Sequence, residues 1–178
     1  MKLSHTNQRI ACLFDQIVRS DKRIHNAHLL VHSDANQLHL NLAGGNAVSS
    51  EDDFPQTGQP VYMASVGKLF TAVLIGILSE QGILSFESRI IDLLDTDLLE
   101  RLHIFKGFDY SNKIQLKHLL NHTSGLPDYF EDKPVNGKRM SDRIVHDPEY
   151  QLQPREAVIW SKENLISKFP PGRGFHYS

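Results

Sequence analysis

Apolar residues near the start of the chain fall at helical spacing: Ile10, Leu13, Phe14, Ile17 and Val18 share one face. Positions three, four and seven apart lie on one side of an α-helix, so this segment predicts an amphipathic helix laid on a core. Ser20-Asp21 breaks the pattern. His28-Leu-Leu-Val-His32 is then a short apolar run, Asp34-Ala-Asn36 carries turn chemistry, and Leu38, Leu40 and Leu42 alternate with His39 and Asn41. Two such runs about a polar turn predict an antiparallel hairpin. Gly44-Gly45 closes it, and residues 46–60, polar and without period, predict a loop.

The most apolar helix follows. Val66, Leu69, Phe70, Val73, Leu74, Ile77 and Leu78 make a continuous stripe between Ala64 and Gln81, with Gly82 as the expected stop. Thr71, Ala72, Ile75 and Gly76 on the other side are small or apolar, so the helix is expected to be buried on most sides, between a sheet and other helices. Residues 83–126 hold three apolar clusters, around Ile90-Ile91, Leu98-Leu99 and Leu119-Leu120, and predict short helices joined by turns. Residues 131–153 are polar and predict a surface excursion; Pro154 is placed to open a last helix with Ala157, Val158, Trp160 and Leu165. The order of elements predicts an α/β (α+β) fold with an inserted helical lobe, divided into residues 1–82 and 83–178.

Composition narrows the function. The 178 residues carry 19 Lys and Arg against 21 Asp and Glu, a formal charge of −2, so the basic excess that phosphate binding needs is absent and no nucleic-acid partner is expected. Cys12 is the only cysteine, which excludes an intrachain disulfide and fits a reducing compartment. The N-terminus lacks a continuous apolar signal region, and the run Leu69–Leu78 is too short to span a bilayer; the expectation is a cytoplasmic chain with no membrane span.

Ser65-Val-Gly-Lys68 is an S-x-x-K motif at the start of the apolar helix. Residues three apart are neighbours on a helix surface, and the first turn offers free N–H groups and the positive end of the dipole. Serine needs a base beside it to act as a nucleophile, and a lysine held neutral by its surroundings can be that base. The competing reading is an ordinary N-cap serine and a solvated lysine, since the motif is short.

Three segments carry a resemblance. Tyr62-Met-Ala-Ser-Val-Gly-Lys-Leu-Phe-Thr71 resembles the nucleophile segment of the serine β-lactamase-related and penicillin-binding family, which includes class C β-lactamases, DD-carboxypeptidases, D-aminopeptidases and esterases. Leu116-Lys-His-Leu-Leu-Asn-His-Thr-Ser-Gly-Leu-Pro-Asp-Tyr129 resembles a second characteristic segment, and Pro170-Pro-Gly-Arg-Gly-Phe-His-Tyr-Ser178 resembles the approach to the family's Y-x-N motif. The resemblance implies a β-lactamase/transpeptidase-like fold, with an antiparallel sheet flanked by helices and a helical lobe. It implies that Ser65 is acylated, that Lys68 accepts its proton, that Tyr177 shares the relay, and that the Ser65 N–H forms half of an oxyanion hole. It implies a small-molecule ester, amide or β-lactam substrate and no metal or cofactor. The asparagine of Y-x-N and the K-T-G-like or H-x-G-like strand are not in the sequence, so the resemblance covers the first part of the family's domain. The expectation is therefore a truncated chain, or one completed by a companion polypeptide carrying the C-terminal half.

Tyr62 and Tyr129 lie beside the motif segments and are candidate substrate-binding residues, because pockets are rich in aromatics; core packing is the alternative. His118 and His122 are four apart, but Leu119 stands where a zinc-protease helix carries Glu, and His122 is expected to bond within the turn at Thr123–Gly125. Ser124 reads as a turn residue and Gly172-Arg-Gly174 as a tight turn that presents Tyr177. Two functions from different classes remain: a serine hydrolase working through an acyl-enzyme, or a non-catalytic binding or sensor module on the same fold.

Overall fold

The computed structural model describes residues 5–45, 54–147 and 149–178. It forms two compact units, one ending at Ala64 and one beginning at Ser65. In the first, helix α1 (His5–Ser20) is the amphipathic helix expected. Its Phe14 ring lies over Gly44, where a Cβ would stand 3.2 Å from Phe14 Cε1; a bare backbone lets the helix close on the strand. Strands β1 (Ala27–Ser33) and β2 (Leu38–Gly44) pair antiparallel, from Ala27 opposite Gly44 to Ser33 opposite Leu38. Leu40 is buried and its partner Val31 half-buried, while Leu30, His32, His39 and Asn41 are exposed, as the period of two requires. Of the loop expected at 46–60, residues 46–53 lie outside the described residues, and a turn at Gln56–Gln59 is present in the remainder.

The second unit opens with a 3-10 turn at Ala64–Val66 that runs into helix α2 (Gly67–Glu80). Gly82, with φ of +69°, ends α2 as anticipated. Its N–H reaches Ser79 O and the Ile83 N–H reaches Leu78 O, both at 3.0 Å, the two bonds of a Schellman cap. Within this unit the expected burial of α2 is absent: no residue of α2 is buried, and Val66, Leu69, Phe70, Val73, Leu74 and Ile77 are all exposed. The stripe is present, but no other element of the unit covers it.

The core of this unit is instead Ile90, Leu99, Leu102 and Ile114, with Ile91, Leu116, Leu119, Leu126 and Val158 packed around it. Full burial of one such side chain stabilises by about 1.5–3 kcal/mol. The core is framed by a 3-10 turn at Ile90–Asp92, α3 (Thr96–Leu99) and α4 (Leu116–Leu120). Backbone bonds from Ile90 N to Ile114 O and from Lys117 N to Phe86 O tie the segments together.

Two elements differ from the sequence reading. Strands β3 (Ile104–Phe105) and β4 (Phe108–Asp109) form a small hairpin inside the lobe expected to be helical. Its turn residues Lys106 and Gly107 both have positive φ, the backbone that suits a two-residue hairpin. The polar excursion 131–153 contains helix α5 (Met140–His146), anchored by buried Met140 and half-buried Ile144 one turn on. One anchor pair in a polar segment leaves too little period to read. Helix α6 (Pro154–Asn164) begins on Pro154 as anticipated. No helix among the described residues is long and apolar enough to cross a membrane.

Candidate active site

Ser65 sits in the 3-10 turn and Lys68 is the second residue of α2, so both emerge at the N-terminal end of the helix. The N-cap position is Val66 rather than Ser65, and no side chain caps the first N–H groups. Ala64, directly before Ser65, has φ of +45°, a left-handed backbone that costs a non-glycine residue about 1–2 kcal/mol.

Tyr177 joins the pair. Lys68 Nζ stands 5.0 Å from the centre of the Tyr177 ring. The polar side chains of Ser65, then Lys68, beside the phenol hold it below its ordinary value of 10; burial and the Asp128 charge oppose them without cancelling them. A phenol that ionises more readily is the better placed to exchange a proton with a neighbouring group. All three side chains are reachable from solvent.

Backbone pairing places Tyr177. The last segment runs beside the turn after α4: Lys168 N bonds Gly125 O at 2.8 Å, Gly172 N bonds Thr123 O at 2.8 Å, and His176 N bonds His122 O at 2.9 Å. Ser178 N reaches His122 Nδ1 at 3.3 Å, and the His122 ring lies 4.4 Å from that of Tyr177. His122 therefore turns toward the last segment rather than bonding within its own turn. It has left α4, with φ of +55°, while His118 Nδ1 accepts the Gln115 N–H at the start of the same helix. The two histidines form no metal pair on one helix face.

Gly125 permits this close approach: φ is +78° and a Cβ would fall 1.9 Å from Phe169 O. Ser124 has the turn role expected, its Oγ accepting the Leu126 N–H at 3.2 Å. Arg173 N bonds Pro170 O at 3.0 Å in the tight turn that precedes Tyr177. Asp132 fastens the segment from the other side. Its Oδ2 receives Lys168 Nζ and His176 Nε2, each at 2.9 Å, and the Asp128 N–H at 2.8 Å. Burial alone would raise its pKa, but the bonds from Lys168, the Asp128 backbone and His176 outweigh that and keep the carboxyl below its ordinary range.

Tyr129 lines an apolar cavity of about 480 Å³ in the same unit, together with Leu119, Leu126, Pro127, Val158 and Ser178. Ser178 follows Tyr177 directly, so the cavity wall adjoins Tyr177 along the chain. Tyr62 is 96% exposed and packs in no core. Sequence reasoning singled out Ser65, Lys68 and Tyr177, and the structure brings those three together. It missed Asp132 and His176, whose roles depend on a contact across 44 positions, and it misread His122.

The family model Beta-lactamase matches residues 14–178. Penicillin-binding protein 4* of Bacillus subtilis (strain 168) is 39% identical over 134 residues, which are 75% of this chain and 25% of that protein. The crystal structure of D-amino acid amidase from Ochrobactrum anthropi SV3, complexed with L-phenylalanine amide, superposes with a TM-score of 0.56 at 21% identity. The superposition covers 92% of this chain and 38% of that one, and it shows a shared fold. The chain thus spans well under half the length of these relatives.

Proposed function

The chain belongs to the beta-lactamase family, and on that premise we propose that it is the nucleophile-bearing part of a serine hydrolase that acts through a covalent acyl-enzyme. The observation that carries this reading is Tyr177 beside Ser65 and Lys68, with Lys68 Nζ 5.0 Å from the ring centre. In the proposed cycle, Ser65 Oγ attacks the carbonyl of an ester, amide or β-lactam. The Oγ–C bond forms as the Ser65 proton passes to Tyr177 and Lys68. The C–O or C–N bond to the leaving group then breaks, and the leaving group takes that proton. Water attacks the acyl carbon, releases the acid and returns the proton to Ser65. The N-terminal N–H groups of α2 and the Ser65 N–H steady the negative charge of the tetrahedral intermediate.

The cavity beside Tyr129 and Ser178 is the proposed seat of an apolar group of the substrate, with Tyr129 as one wall. Tyr62 is a second proposed substrate contact. The similarity to a penicillin-binding protein makes a β-lactam the first reagent to try. The working enzyme in this reading has the stripe of α2 that the second unit leaves exposed covered by another surface, because so large an uncovered apolar face is costly in water. The test is intact mass after incubation with a fluorescent penicillin and, separately, a fluorophosphonate, on the longest product the gene encodes. An adduct on Ser65 that Ser65→Ala abolishes is the expected result. Labelling that persists in that variant would refute the assignment, and no adduct on a folded protein would transfer it to a non-catalytic binding module.

A further inference from the structure

The β1–β2 register sets His32 directly opposite His39, and the turn between the strands carries Asp34. Directly opposed residues project from the same face of a pair, here the exposed face. The two Nδ1 atoms stand 3.1 Å apart, and each Nε2 stands 3.6 Å from the same Asp34 Oδ1. The rings are 4.7 Å apart between centres and inclined by 65°.

Counting protons shows what this arrangement lacks. Two neutral imidazoles own one N–H each. A bond between the two Nδ1 atoms uses one N–H and leaves one for Asp34. One bare Nε2 lone pair then faces the carboxylate. A cation between the two Nδ1 atoms removes that conflict: both nitrogens become ligands, both protons move to Nε2, and each Nε2 then carries its proton 3.6 Å from Asp34 Oδ1, within reach of a small adjustment of the exposed carboxylate. The separation fits, since two nitrogens bound tetrahedrally at 2.0–2.1 Å stand about 3.3 Å apart. A metal-bound histidine commonly donates its other N–H to a carboxylate, which fixes the tautomer and raises ligand basicity.

We propose that His32 and His39 bind one divalent transition-metal ion through Nδ1, with Asp34 accepting both Nε2–H groups. Imidazole ligands select the Zn²⁺, Cu²⁺ and Ni²⁺ class over Mg²⁺ and Ca²⁺. The remaining coordination positions face solvent and take water or an anion. The ion would clasp the turn end of the hairpin by linking its two strands. This site lies in the first compact unit and does not rest on the acylation chemistry.

The test is Zn²⁺ titration of the full chain with ¹⁵N-labelled histidine, reading which ring nitrogen carries the proton. The expected result is one ion per chain, with the Nδ1 signals of His32 and His39 shifted and both Nε2 atoms protonated. His32→Ala and His39→Ala should each lower the affinity at least ~10-fold, and Asp34→Asn should lower it ~10–100-fold, as loss of a supporting carboxylate does. All three positions are exposed, so the variants should keep the wild-type circular dichroism. Equal binding by the His32→Ala/His39→Ala double variant, binding through Nε2, or equal shifts at the other histidines would overturn the proposal.

Discussion

Replacing Asp132 with alanine should weaken both the fold and the chemistry, through one carboxylate that fastens the segment before Tyr177. Its side chain is only 17% exposed and receives three bonds, from Lys168, His176 and the Asp128 N–H. A hydrogen bond to a charged group contributes roughly 1.5–3 kcal/mol. Three bonds on one carboxylate are not additive, so Asp132→Ala should cost about 2–4 kcal/mol in denaturant unfolding. His176 precedes Tyr177, so release of its Nε2 frees the segment that holds the phenol against Ser65. Misplacement by about 1 Å can cost ~100-fold in rate. Single-turnover acylation by a fluorescent penicillin or fluorophosphonate on the folded fraction should slow by about that factor. Asp132→Asn keeps the shape and should lose less in both assays. The folded pKa of Asp132 lies below its ordinary value of 3.8, so its contribution is present above that pH and is lost as pH falls through the folded value. The alanine variant should lack that acid limb. Wild-type stability with wild-type acylation in Asp132→Ala would refute the reasoning.

Other consequences follow from close packing and burial. Gly125→Ala places a Cβ 1.9 Å from Phe169 O on a backbone with φ of +78°. It should cost about 4 kcal/mol or more, and an unchanged denaturation midpoint would contradict the packing described. His103 is fully buried, and its ring nitrogens meet no partner in good hydrogen-bond geometry. Burial lowers its pKa from 6.5, opposed in part by the nearby backbone of Phe169 and Ser124 and by the Asp109 charge. Below pH 6.5 the unfolded chain binds a proton there that the folded chain refuses. Stability should therefore fall with pH by up to about 1.4 kcal/mol per unit until the folded pKa is reached. His103→Leu should flatten that slope, and an unchanged slope would place the dependence elsewhere.

Local pattern determined much of this protein. The spacing of Leu13, Phe14 and Val18, the alternation of Leu38, Leu40 and Leu42, the stop at Gly82 and the opening proline of α6 each gave an element that the structure contains. These features need only neighbours in the chain, because periodicity, capping and fixed φ act within a few residues. The three motif segments likewise pointed to Ser65, Lys68 and Tyr177, and the family match supports the resemblance they carried.

Tertiary structure decided the rest. Whether an apolar stripe is buried depends on what faces it, and for α2 no other element of its own unit does. The β3–β4 hairpin rests on two positive-φ residues, and α5 rests on Met140 finding a core; neither leaves a period in the sequence. Asp132 meets His176 across 44 positions, and His122 meets Ser178 across 56. Pairings at such distances are set by how segments pack, so a linear pattern carries no trace of them. Ser65 and Lys68 stand out locally in the sequence, but only the fold brings Tyr177, more than a hundred residues away, beside them.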